Sequence, residues 1–284
     1  MDVDPISEFS NRHNLKPTDA LRRERVGLKA LFSTNVRLSK SFAELDDWAL
    51  SDPAIGLLLN LIHRNLEQAE GGLVAFVTGC GPSAEVAARA SVELSVNILY
   101  ILNGDAVSRL RSYFDYYLGA VDAQVRNWRS HASSLPSAEQ IAHHEAAARR
   151  EAANAALRDF LSSFPTSSEP WPRSIEERFR LINEGILYRT LCARMSSEAH
   201  GDAEETLRYF LGKVSGQDVL EKMASETWWN ARFFVYFSIC FFLRAAARYS
   251  GVYSLSNTAR HVVNALRTCE LELETCARHM GAGV

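Results

Sequence analysis

The residues of this chain best equipped for chemistry lie between Tyr188 and Gly201, in the run YRTLCARMSSEAHG. Two arginines, a tyrosine, two serines, a glutamate and a histidine interrupt what otherwise reads as one apolar helix. Arg194 and His200 are separated by five residues, and the histidine is followed at once by Gly201 and Asp202, a helix-stop signal. A permanent cation beside a titratable imidazole can bind a phosphodiester and move protons on it. On a helical wheel Arg189, Ser196 and His200 share a face, because eleven residues return to within about 20° of the start. Ser196 and His200, four apart, are close enough to touch. Arg194 falls roughly 120° round from His200 and reaches back only if the helix ends there. A lone histidine at a helix C-terminus is commonly just a dipole partner. Here the company of Tyr188, Arg189, Arg194 and Glu198 favours a site.

A second polar set lies earlier. Arg89, Glu93, Asn97 and Tyr100 follow one another at steps of four, four and three, so they line one face of the helix predicted over 82–102. Their neighbours Val86, Val92, Leu94, Val96, Ile98, Leu99 and Ile101 are apolar. A buried arginine and glutamate must pair or bind something, since an unpaired buried charge is costly. The stripe is therefore either an internal salt bridge or a wall of the site facing the Tyr188–His200 helix.

Other chemistry lacks its signature. His143-His144-Glu145, with Glu139 four residues before, has metal-ligand residue types but sits in a charged, solvated helix and reads as surface. There is no HExxH, GxSxG, P-loop or GxGxxG, and no glutamate stands three residues before a histidine. No metal and no cofactor is expected. The five cysteines (Cys80, Cys192, Cys240, Cys269, Cys276) are odd in number and widely spaced. The polar first 16 residues lack an apolar signal core, and the two facts together point to a reducing cytoplasm with free thiols.

The elements that must position these residues are helices. Apolar residues recur at three and four, and strand-like alternation is scarce, so the expected class is all-α: a multi-helix, mainly antiparallel bundle. Residues 1–16 read as a flexible tail and 17–284 as one helical domain. A helix is expected from Thr18 through Phe32 and on toward Trp48. Asp52-Pro53 opens another to about Glu70, broken by Gly71-Gly72, after which Leu73–Thr78 is a strand or a short buried helix. Further helices are expected from Gly81 to Leu102, from Asp105 to about His131, and from Ser137 up to Pro165 as a charged, Ala-rich outer arm. Thr166–Arg173, with Pro170 and Pro172, is the clearest loop. Ser174 opens the region of the motif, Gly212–Gly216 breaks it, and Asp218–Tyr249 and Ser256–Arg278 complete the bundle. Phe233–Leu243 (FFVYFSICFFL) is the most apolar run, but its eleven residues between Arg232 and Arg244 fall short of the about 20 a membrane span needs. It reads as a central core helix, and no membrane association is expected. Trp228-Trp229 reads as core, though a tryptophan pair can also stack on a base.

At 284 residues, 47% apolar and 23% charged, the composition is that of an ordinary globular protein, and a net charge of −3 excludes a generally cationic surface. Only five lysines occur, so nearly all positive charge is arginine. That suits bidentate phosphate contacts but equally reflects a biased genome.

The segments ARASVELSVNILYI (Ala88–Ile101), RSYFDYYL (Arg111–Leu118) and YRTLCARMSSEAHG resemble a bacterial all-helical family of unknown function, numbered 5677 among such domains. The resemblance covers about residues 50–250 and adds Arg111 to the candidate pocket. The chain is also similar to the wider HEPN superfamily of helical proteins, many of them metal-independent ribonucleases of defence or toxin–antitoxin systems with an Arg-x4–6-His motif at a dimer interface. The resemblance implies an HEPN-like core with extra helices and a homodimer acting on RNA. His200 would assist attack by the 2′-hydroxyl, and Arg194 would stabilise the developing phosphorane. Met195 departs from the polar residue usual after that arginine. The other reading is a non-catalytic binding or regulatory module whose pocket takes a nucleotide, a peptide or a protein partner.

Overall fold

The computed structural model describes residues 4–16, 18–45, 47, 51–166, 169–192 and 203–280, and these are helical with no strand among them. The helices are α1 (Pro5–Arg12), α2 (Asp19–Arg23), α3 (Arg25–Ala43), α4 (Pro53–Val77), α5 (Gly81–Leu102), α6 (Ala106–Ala132), α7 (Ser137–Leu161), α8 (Ile175–Leu181), α9 (Gly185–Leu187), α10 (Ala203–Ser215), α11 (Gln217–Val252) and α12 (Ser256–His279). The chain forms two compact units, Met1–Leu102 with Ser174–Val284, and Asn103–Arg173.

The first unit is built around α11. Its 36 residues make a rod about 54 Å long. The helix meets the length and composition of a membrane span, but 83% of its most apolar window is buried within the fold. Its stretch Phe233–Leu243 is buried on every side, as a helix enclosed by neighbours must be, and α5, α12, α4 and α3 pack against α11. Tyr236, Phe241 and Phe242 are fully buried. Phe233, Phe237 and Phe241, four apart, stack in a column with ring centroids 6.1 and 4.8 Å apart. The central core helix expected from FFVYFSICFFL is present.

One charge enters this core. Arg232 is buried, and its Nε donates to both carboxylate oxygens of Glu24 at 3.1 and 3.2 Å. Its other nitrogens donate to Glu272 of α12 at 2.8 Å and to the Cys276 sulfur at 3.2 Å. Sharing among two carboxylates and a sulfur satisfies a guanidinium that would otherwise be very costly there. The helix expected to run unbroken from Thr18 is divided at Glu24, the residue this pairing draws inward, and Thr18 caps α2.

The pair α4 and α5 shows where a glycine rule failed. Asp52 caps α4 as expected, its carboxylate accepting from the Ala54 amide at 2.8 Å. Gly71-Gly72 does not break the helix, which continues to Val77 with Thr78 as its cap, so the Leu73–Thr78 segment is a helix end and not a strand. A Cβ at Gly72 would stand 3.4 Å from the Ala84 carbonyl oxygen and 3.5 Å from the Ala88 amide, so this glycine lets two backbones approach. Beside the contact, Asn65 donates to Ser95 and accepts from Ser91, both at 2.7 Å, in a dry, satisfied polar cluster.

The tail reading of residues 1–16 is replaced by α1. Asp4 caps it, Pro5 occupies its first turn, and Ile6 and Phe9 are buried. At its end Arg12 and His13 reach the buried Glu70 at 2.9 and 3.4 Å. At the other end of the chain α10 passes through Gly212 and stops only at Gly216, whose φ of +107° few other residues adopt. Ser256 is the first residue of α12 rather than its cap, which is Leu255.

The second unit is a helical hairpin. Asp105 caps α6, Val121 and Val125 pack on Ala147 of α7, and the Trp128 indole donates to His143 Nδ1 at 3.1 Å. The return loop holds to α6 through Trp171, 5.0 Å from Tyr113, and through Ser112, which donates to the Glu169 carbonyl.

Candidate functional site

The approach to the Tyr188–Gly201 motif is anchored on the aromatic core. Ser174 caps α8, accepting from the Glu177 amide at 3.0 Å. Nine residues after Ser174, just past the helix end, Asn183 stands at φ +64°, and the Glu184 amide closes the turn on the Phe179 carbonyl at 2.8 Å. Phe179 is fully buried, between Tyr188 at 5.7 Å and Phe241 of α11 at 5.9 Å. Arg244 of α11 binds the Glu184 carboxylate and lies over the Phe241 ring at 4.9 Å. A short turn and its flanks are thereby fixed to the central helix of the unit.

From α9 the chain enters a π-helical turn, Tyr188–Cys192. The region that Ser174 was expected to open is interrupted at Asn183, and the motif, expected on one apolar helix, begins instead in this π-turn. A π-turn holds more residues than the 3.6 per turn of the α-helix assumed on the wheel. Such turns recur at functional sites. Arg194, Ser196, Glu198 and His200 lie outside the described residues.

Arg189 pairs with a carboxylate of α8. Its Nε and one terminal nitrogen both donate to Glu176 Oε1, at 3.1 and 2.8 Å, with 77% and 45% of the two side chains exposed. Around this pair runs an open groove of about 620 Å³, walled by Ser174, Glu176, Arg180, Gly185, Ile186 and Arg189. Gly185 sits over the Arg180 backbone, where a Cβ would come within 3.6 Å of its Cα. Arg180 has no ion pair among the described residues. Sequence reasoning passed over Arg180 and Glu176; the signal was the EERFR run on a seven-residue helix upstream of the motif.

The polar stripe stands on α5, which packs against α8 in the same unit. Arg89 Nε donates to Glu93 at 2.7 Å, both side chains partly buried. Asn97 lies one turn on with its amide oxygen enclosed and no hydrogen-bond partner among the described residues, and Tyr100 is buried. Arg111 belongs to the other unit, where it pairs with Asp115 at 2.7 Å and donates to the Leu161 carbonyl. Arg89 and Glu93 are thus brought together, as are Tyr188 and Arg189 on one turn, while Arg111 is engaged within its own hairpin.

Elsewhere, burial sets the proton affinities. Desolvation pushes the Cys240 thiol far up and the Cys269 thiol up to about 12, so neither is a nucleophile. Desolvation lowers the pKa of His63 and of His261 and raises that of Glu70 against the pull of Arg12 and His13. No group of three or more histidine, cysteine or carboxylate side chains suited to a metal occurs among the described residues. A second groove, apolar and about 370 Å³, is lined by Phe76, Pro82, Met223 and Trp228. Trp228 is 39% exposed there, edge-on to Trp229 at 4.7 Å, so it is not a core residue.

The chain belongs to a family of unknown function (DUF5677), which matches residues 56–218, more than half its length and the whole of the motif. No curated protein and no solved structure matches it.

Proposed function

We propose that this member of the family is a metal-independent endoribonuclease of HEPN type, acting through Arg194 and His200. The observation that carries the reading is the five-residue spacing of that pair within the matched region, directly after a π-turn anchored on the core. The local charge agrees: residues 173–194 hold five arginines and three glutamates in a chain of net charge −3.

The chemistry needs no metal. His200 takes the proton of a ribose 2′-hydroxyl, whose oxygen attacks the adjacent phosphorus, and Arg194 stabilises the negative charge that builds on the phosphorane. The bond to the 5′-oxygen then breaks, leaving a 2′,3′-cyclic phosphate and a 5′-hydroxyl. One imidazole cannot readily act on both sides of the phosphorus. A two-fold homodimer supplies the second histidine as the acid for the leaving oxygen, and such dimers are the commonest oligomers. Purified protein incubated with mixed RNA in EDTA should cleave it, and His200→Ala should lose at least about 10³-fold, the scale of general acid–base catalysis. Equal activity in His200→Ala would overturn the proposal.

A second reading, a non-catalytic RNA- or protein-binding module, is favoured by Met195 after the arginine. It is favoured also by the internal pairing of Arg89, Arg111 and Arg189 with Glu93, Asp115 and Glu176. It expects RNA binding without cleavage, or no binding, from a correctly folded chain.

A further inference from the structure

We propose that Arg180 and Arg189 form a phosphate clamp for the RNA strand beside the cleaved bond, and that Glu176 occupies the clamp when RNA is absent. The nature of the ligand rests on the ribonuclease reading above; the two arginines and the glutamate stand on their own geometry.

Both arginines open onto the 620 Å³ groove, a size within the range of small-ligand sites. Arg180 presents an exposed guanidinium with no ion pair among the described residues. Arg189 offers Nε and a terminal nitrogen side by side to a single oxygen, Glu176 Oε1, at 3.1 and 2.8 Å. That edge of a guanidinium binds a carboxylate or a phosphate oxygen alike. Glu176 therefore stands where an oxygen of a phosphodiester would sit. The pair it makes is mostly exposed, at 77% and 45%, so solvent has already weakened it and an incoming phosphate displaces it readily. The walls are set in advance. Phe179 and Tyr188, one residue before Arg180 and one before Arg189, pack on each other and on the core, and the turn between them is closed by Asn183 and tied to α11 through Glu184 and Arg244. Arg189 precedes Arg194 by only five residues, so a strand held here lies close in sequence to the proposed catalytic pair. Phosphate contacts of this kind hold the register of a strand without reading its bases.

The test uses the His200→Ala chain, in which cleavage does not compete, with a short labelled single-stranded RNA in EDTA, read by fluorescence anisotropy over a salt series. Arg180→Ala should weaken binding about tenfold for any RNA sequence and should lower the slope of log affinity against log salt by about 0.7 to 1, one phosphate contact. Arg180→Lys should keep most of the salt slope with weaker binding. Glu176→Gln should tighten binding several-fold by removing the resident carboxylate. Thermal melting of each variant verifies folding. Affinities of Arg180→Ala and Glu176→Gln within twofold of the parent overturn the clamp, and so does failure of the parent to bind RNA. If the native chain cleaves RNA while neither variant shifts binding, the clamp alone falls. If it does not cleave but the variants shift binding in these directions, the clamp stands and the ribonuclease reading falls.

Discussion

Two arginine–carboxylate pairs in this protein have the same chemistry and opposite consequences. Arg232 and Glu24 meet in the core with 8% and 1% of their side chains exposed, and Glu272 and Cys276 complete the shell. Arg189 and Glu176 meet on the surface with 77% and 45% exposed. In the first setting neither charge can be left alone, because water is not there to take over, so the pair holds α2, α3, α11 and α12 together. In the second, water or another anion can replace either partner at little cost. A buried pair is thus a structural clasp and an exposed one an exchangeable contact, and the sequence, which shows an arginine in both places, does not distinguish them.

The comparison breaks most sharply at Arg232. Arg232→Ala should cost about 3–5 kcal/mol, because it strands the buried Glu24 carboxylate. Arg232→Met combined with Glu24→Leu should recover most of that loss in denaturant unfolding. Equal stability of the single and double variants would show that lost packing, not stranded charge, sets the cost. Next come Phe237→Ala and Phe241→Ala, each expected to lose about 3–5 kcal/mol from the aromatic column. A loss below about 1 kcal/mol at both would place this stretch at the periphery.

A smaller effect concerns pH. His63 and His261 have lowered pKa values from burial, so their neutral forms are favoured in the fold; the stability they contribute is present above about pH 6.5 and is lost as pH falls through their lower folded values. Glu70 has a raised pKa and acts oppositely, its contribution being full below its unfolded value of 4.5 and lost as pH rises through the folded value. Melting curves of His63→Gln should accordingly flatten the loss of stability as pH falls below about 6.5. An unchanged pH profile would remove His63 from the account. The smallest effect is at the exposed pair: Glu176→Gln should change unfolding stability by less than about 1 kcal/mol, although the proposed clamp expects the same substitution to tighten RNA binding.

Much of this fold was legible from residue spacing. The all-helical class, the caps at Asp52, Asp105 and Ser174, the loop at Pro170-Trp171-Pro172 and the buried Phe233–Leu243 helix follow from local rules that tertiary structure did not override. The misreadings share a cause. Gly71-Gly72 looks like a break because glycine weakens an isolated helix, but Gly72 is spent on a close approach by a helix that the local sequence does not announce. Residues 5–12 look too short and polar to hold a helix alone, and Glu70, some sixty residues away, supplies the anchor. The site was legible in part. The Arg89–Glu93 pairing follows from a four-residue step, whereas the Arg189–Glu176 pair depends on a π-turn and a left-handed Asn183 that no periodicity reveals.

The central claim is that Arg194 and His200 cleave RNA through the 2′-hydroxyl, and the ends of the products test it most directly. RNA treated with the EDTA-washed protein should carry 2′,3′-cyclic phosphate and 5′-hydroxyl termini, and His200→Ala should produce none. Products bearing 3′-hydroxyl and 5′-phosphate termini, or intact RNA after prolonged incubation with the folded protein, would contradict it.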